Sequence, residues 1–142
     1  MTKVVLCALG LTVLTVLIHA VGSLFVMRRI GDAWSKRSPQ PGVLGAELLV
    51  ARLVGALLLL HLAEAVVWAL FFLLFGLLPD FEAAVYFSLT SYTTVGYGDL
   101  VLKESWRLLG PIEAGVGILM LGWSTGLLVA LITRIYGEQP ND

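Results

Sequence analysis

Three apolar stretches, each about as long as a membrane is thick, restrict this chain more than any other feature. A helix needs about 20 consecutive apolar residues to cross the hydrocarbon core. The first stretch, from Val4 to Met27, is interrupted only by Thr12, Thr15, His19 and Ser23. The second, 48–78, carries Arg52 near its start and His61 and Glu64 inside it. The third, 111–136, has Glu113 near its start. Residues 79–110 between them are too polar and too punctuated to span. Soluble domains are about 45–50% apolar and about 25% charged. Here the values are 58% and 13%, which places the chain in a bilayer. Lipid leaves helices and closed barrels as the only spanning structures. The length of the stretches selects helices, so an all-α membrane protein with three transmembrane helices is expected.

Charge bias sets the expected orientation. The loop at 28–46 holds Arg28, Arg29, Lys36 and Arg37, whereas only Lys3 precedes the first stretch. The positive-inside rule therefore puts this loop in the cytoplasm and the N-terminus outside. The C-terminus is then cytoplasmic and 79–110 lies outside. A signal peptide is the competing reading of the first stretch. Its apolar region exceeds the usual 7–15 residues and Arg28-Arg29 follow at once, which favours a retained helix. Ser38-Pro39-Gln40-Pro41-Gly42 is a breaker cluster that marks a linker. Net charge is −1, so no global basicity points to nucleic acid. The single Cys7 lies in an apolar run and reads as a small packing residue.

The polar interval resolves into a short helix and a loop. Asp80 can cap a helix over 81–92, with Glu82 in its first turn. Twelve residues give about 18 Å, half a bilayer. Its C-terminal carbonyls then point at the membrane centre, where a partly dehydrated cation is favoured by the helix dipole. Thr93-Thr94-Val95-Gly96-Tyr97-Gly98-Asp99 follows, filling 93–99. A T-V-G-Y-G run supplies a row of backbone carbonyls that can replace the hydration shell of K⁺. For successive carbonyls to face one axis, alternate residues need positive φ or similarly unusual dihedrals, which Gly96 and Gly98 accept at little cost.

At these residues the sequence resembles the tetrameric potassium channels, small prokaryotic type with a two-helix pore core, extended here by one N-terminal helix. The resemblance covers about 47–136 and is strongest from Tyr86 to Asp99. It implies an outer helix at 48–78, a re-entrant pore helix at 81–92, a filter at 93–99 and a pore-lining inner helix at 111–136. K⁺ would be held at Thr94, Val95, Gly96, Tyr97 and Gly98, with Thr93 beside them and the Thr94 hydroxyl closing the inner end. One filter per chain gives one wall of a cage, so a homotetramer in the lipid bilayer is expected. The resemblance also implies that Asp99 bonds to groups behind the filter. Where some relatives have an acidic partner this chain has Thr90, so Trp106, Tyr86 and Thr90 all stand as donors, beside a solvated mouth charge. Tyr86, Phe87 and Tyr92 read equally as an aromatic cuff around the filter or as ordinary packing.

The third stretch is rich in small residues, and Gly122-Trp-Ser-Thr-Gly126 is a GxxxG step that usually means close helix packing. The resemblance adds a second reading, in which Gly122 or Gly126 is a gating hinge and Ser124 and Thr125 face a water-filled cavity. The first helix lacks an Arg every third residue, so it is no voltage sensor. His19 and His61 fall at similar depth, about 13 Å from the cytoplasmic edge at 1.5 Å per residue, and Glu64 lies one turn from His61. Ionisable groups inside a span pair or face water. A buried polar cluster of His19, His61 and Glu64 is expected to join the first two helices, either as a static hydrogen-bonded contact or as a pH sensor. Glu113 could anchor the filter surround.

The expected architecture is thus a peripheral helix within 1–27, a basic linker at 28–46, the pore domain at 47–136 and a short tail at 137–142. The expected function is passive, K⁺-selective conduction across the cell membrane. No catalytic motif and no cofactor other than permeant K⁺ is read. The alternatives are a weakly selective cation channel and a non-conducting membrane subunit that modulates a larger complex.

Overall fold

A computed structural model describes residues 1–35 and 43–137. Among these, four helices and no strand are found: α1 Thr2–Ser35, α2 Val43–Leu74, α3 Phe81–Tyr92 and α4 Leu109–Gly137. Three of them, α1, α2 and α4, are long and apolar enough to cross a membrane. The short α3 packs between α2 and α4, while α1 lies against α2 and α4 from outside. The all-helical membrane fold expected from the apolar pattern is the fold observed.

Helix boundaries differ from those the apolar pattern predicts. The basic linker at 28–46 is not all loop. Helix α1 runs through Arg28 and Arg29 to Ser35, and α2 already begins at Val43. Arginine is a good helix former, so charge alone does not end a helix at the membrane edge. The breaker cluster at 38–42 and the tail beyond Gly137 lie outside the described residues. Helix α2 ends at Leu74 rather than at residue 78. Gly76 takes φ 62°, and Leu77 N–H reaches Phe72 O at 2.9 Å while Gly76 N–H reaches Leu73 O at 3.0 Å. These two bonds are a Schellman closure around a left-handed glycine. Helix α4 starts at Leu109, two residues early, because Pro111 sits in its first turn, where a missing N–H costs nothing.

Two apolar clusters hold the helices. The larger is centred on Trp68, Phe72, Phe87 and Tyr92 and recruits Val4, Ala8 and Leu11 from α1. The Phe87 ring meets Phe72 edge-on, with centroids 5.3 Å apart. The smaller, around Leu49, Leu53, Leu57, Ile30 and Leu131, closes the other end. Helix α1 inverts the pattern of a soluble helix. Thr15, His19 and Ser23, spaced by four and hence on one face, are buried, while Leu9, Val13, Leu17, Val21 and Phe25 are exposed. Lipid solvates apolar side chains as well as a protein core does, so the polar stripe is what turns inward.

Candidate functional site

The loop 93–99 starts at the C-terminus of α3 and is tied to it by its own backbone. Asp80 caps the other end, accepting from the Ala83 N–H at 2.8 Å. At the C-terminal end, Thr93 N–H donates to Leu89 O, Thr94 N–H to Ser91 O and Gly96 N–H to Thr90 O, at 3.1, 2.9 and 3.0 Å. The Thr93 hydroxyl adds a bond to Leu89 O at 2.6 Å. Beyond this tether the chain alternates. Thr94, Gly96 and Gly98 have φ of 63°, 52° and 78°. The two glycines behave as their identity demands. Thr94 is the surprise, since a β-branched residue in the left-handed region costs on the order of 1–3 kcal/mol. Its neighbours over-determine it: the Thr94 and Gly96 N–H groups on either side of Val95 are both held by α3.

The loop is not enclosed by its own chain. Residues 93–99 are all exposed, Val95 by 51% and Tyr97 by 73%. Beside it lies a hollow of about 380 Å³ lined by Thr90, Ser91, Thr94, Gly96, Arg107 and Ala114, among others. Asp99 accepts a hydrogen bond from the Tyr86 hydroxyl at 2.8 Å. Of the three donors left open by the sequence, Tyr86 is the partner. Thr90 turns its hydroxyl to Phe87 O instead, and Trp106 packs edge-on against Phe71 and Phe75. The bond to the Asp99 carboxylate pushes the Tyr86 phenol above its ordinary range.

Behind α3 the structure assembles a ring of hydrogen bonds from all four helices. His19 Nδ1 meets Glu64 Oε1 at 2.8 Å. The Tyr92 hydroxyl donates to Glu64 Oε2 at 2.5 Å, and His61 Nδ1 meets the same hydroxyl at 2.9 Å. His61 Nε2 meets Ser124 Oγ at 2.9 Å, and Ser124 Oγ returns to His19 Nε2 at 3.4 Å. His19, Glu64 and Tyr92 are at most 1% exposed, and His61 and Ser124 at most 9%. Five links need five protons. Tyr92, Ser124 and two neutral imidazoles supply four, and the fifth is shared by Glu64 and His19. The ring is then electrically neutral whether Glu64 keeps that proton or passes it to the imidazole, which is what a low-dielectric site favours.

The structure therefore brings His19, His61 and Glu64 together, as their shared depth implied, and adds two members the sequence reading missed. Ser124 was expected to face a cavity; it is buried and bonded to His61, because a hydroxyl on this face of α4 meets the polar stripe of α1. Thr125 remains on the exposed face and bonds its own helix at Leu121 O. Tyr92 is neither only cuff nor only packing, because its hydroxyl is the link between α3 and the ring. The periodic signal was present: Thr15, His19 and Ser23 repeat every four residues and needed a polar counterpart. One turn back along α3, the Ser88 hydroxyl lies 2.6 Å from Ala65 O and also contacts the Glu113 carboxyl. Glu113 Oε2 is buried without a partner among the described residues. Helix α3 is thus held from behind by two buried carboxyl groups, Glu64 from α2 and Glu113 from α4.

The glycines of α4 divide unexpectedly. Among the described residues, no atom beyond α4's own neighbouring backbone lies within 4 Å of a Cβ placed at Gly122 or Gly126, so the GxxxG step packs against no other described helix. The close contact is at Gly117, where such a Cβ would sit 2.0 Å from Tyr92 O. Only glycine lets α4 reach the end of α3 there.

Comparison with known proteins gives one family. Residues 56–134 match the model of a family described as ion channel. No curated protein and no solved structure matches.

Proposed function

The chain belongs to the ion channel family, and from that premise we propose that four copies form a K⁺-selective pore conducting passively down the ion gradient. The observation that carries the proposal is the backbone of 94–98, where every second residue has positive φ. That alternation is what a strand needs to turn successive carbonyls to one side, and a row of carbonyls is the ligand set of a potassium site. Thr94, Val95, Gly96 and Tyr97 contribute carbonyls, Thr94 its hydroxyl, and Gly98 the freedom to turn the strand outward. K⁺ itself is the cargo.

Exposure of 93–99 supports the tetramer. Non-helical backbone at membrane depth persists only when buried in protein or lining a water-filled path. A single chain leaves this segment open, and a fourfold ring of copies would cover it while presenting its carbonyls to a shared axis. Helix α3 aims its C-terminal end at the same place, where its dipole favours a cation. The ring behind Tyr92 then acts as a brace: it fixes the last residue of α3, immediately before the filter. The N-terminus outside, the C-terminus in the cytoplasm and a cell-membrane location follow from the charge bias of Arg28, Arg29, Lys36 and Arg37.

Purified protein in liposomes free of other proteins is expected to give barium-blockable K⁺ flux, abolished by Gly96→Ala. Under bi-ionic sodium–potassium gradients the reversal potential should lie near that of K⁺. Reversal near zero would instead indicate a weakly selective cation channel. Absence of flux from a folded tetramer would indicate a subunit that only modulates a partner.

A further inference from the structure

The end of the bundle away from the filter holds a hollow of about 310 Å³ between α1 and α2. Its walls include Phe25, Val26, Ile30 and Leu49, and both Arg29 and Arg52 line it. The Arg29 guanidinium lies 4.9 Å from the centre of the Phe25 ring, a cation–π contact that turns it along the groove. Among the described residues no carboxylate forms an ion pair with either arginine. Two guanidinium groups therefore flank one apolar groove, and among the described residues neither is held in an ion pair.

Depth identifies the counter-charge. From Arg52 to Leu74, the last residue of α2, 22 steps of 1.5 Å make about 33 Å. That matches the roughly 30 Å of hydrocarbon in a bilayer. Arg52, and Arg29 beside it, consequently lie where the acyl region gives way to headgroups. A phosphate is the anion found at that level, and its geometry suits the arginine fork. The groove volume is at the lower end of the range for ligand clefts, and its apolar walls suit an acyl chain, not a soluble anion.

We propose that this groove is a binding site for one anionic glycerophospholipid. Its phosphate sits between Arg29 and Arg52 and one acyl chain lies along Phe25, Val26 and Ala56. Two arginines at one phosphate discriminate against a zwitterionic headgroup, whose own cation offsets its phosphate. The site belongs to α1 and α2 alone and is independent of ion selectivity. It gives the first helix a role in retaining lipid.

Native mass spectrometry of protein exchanged into equal phosphatidylglycerol and phosphatidylcholine tests the proposal. Phosphatidylglycerol should be retained over phosphatidylcholine, with the preference falling on the order of five-fold for each of Arg29→Gln and Arg52→Gln. Arg28→Gln, which removes the same charge from a residue that does not line the groove, should keep the wild-type preference. Equal retention of both lipids by the wild type would overturn the site, as would an equal loss in Arg28→Gln, which would mean diffuse surface charge. Should the variants not fold, competition on the wild type decides. Millimolar glycerol phosphate, a headgroup without chains, should leave the lipid bound; displacement would show an anion site with no lipid component and refute the proposal.

Discussion

Replacing Tyr92 by Phe removes one oxygen from the ring and orphans two buried partners. Glu64 Oε2 loses its donor at 2.5 Å and His61 Nδ1 loses its acceptor at 2.9 Å. Each unsatisfied buried group costs about 1–3 kcal/mol, so Tyr92→Phe should destabilise the fold by about 2–6 kcal/mol. Glu64→Gln is the informative companion. A carboxamide can donate through its NH2 to His19 Nδ1 and accept the Tyr92 hydroxyl through its oxygen. His19 then donates through Nε2 to Ser124, and all five links stay filled without any net charge. Glu64→Gln should therefore cost less than about 1 kcal/mol, one hydrogen bond's net worth, whereas Glu64→Ala leaves two ring members, His19 and Tyr92, without their carboxyl partner and should resemble Tyr92→Phe or worse. Thermal unfolding in detergent, followed by tryptophan fluorescence, gives the ordering, and bi-ionic reversal potentials on the same samples report the filter. In the proposed K⁺ pore, a folded Tyr92→Phe protein should lose selectivity for K⁺ over Na⁺ while Glu64→Gln keeps it. A Glu64→Gln variant as damaged as Tyr92→Phe would refute the neutral five-proton ring, and a Tyr92→Phe variant with wild-type stability would refute the brace.

Gly117→Ala should prevent assembly of stable protein, because the added methyl meets the Tyr92 backbone at 2.0 Å and neither helix can yield; Gly122→Ala, with open space around it, should fold normally, and an unchanged open probability in that variant would dismiss a hinge there. Tyr86 donates to Asp99 as a neutral phenol, and its raised pKa keeps that bond past the usual phenol range, to be lost only as pH rises through the raised value. Absorbance titration of tyrosine should therefore show Asp99→Asn shifting one group downward, and no such shift would refute the pairing. Phe72→Ala empties the centre of the larger apolar cluster, where Phe72 is fully buried, and should cost about 3–5 kcal/mol, read from the same unfolding curves.

The membrane class, the number of spans and the short helix before the loop were all legible in the sequence, because each depends on local terms. Apolar length fixes a span, Asp80 fixes a start, and glycine fixes where positive φ is cheap. The helix ends were legible only in part. Gly76 ends α2 through two specific backbone bonds that a hydropathy pattern does not show. The candidate site divides in the same way. Gly96 and Gly98 announce their conformation by lacking a Cβ, but nothing local marks Thr94, whose positive φ is imposed by bonds from α3 to the residues around it. His19, His61 and Glu64 were legible as a cluster because charge inside lipid must find a partner.

What only the tertiary structure decided is which groups complete that cluster and which side chain answers Asp99. Tyr92 and Ser124 join the ring, and Tyr86 instead of Trp106 or Thr90 reaches the carboxylate, because hydrogen bonds fail beyond a few tenths of an ångström of misplacement. Such distances are set by how α3 seats between α2 and α4, with Gly117 allowing the approach. Hydrophobic length is a property of a segment and survives any packing, so the sequence alone could state it. Hydrogen-bond partnership is a property of pairs from separate helices, and it exists only once those helices have met.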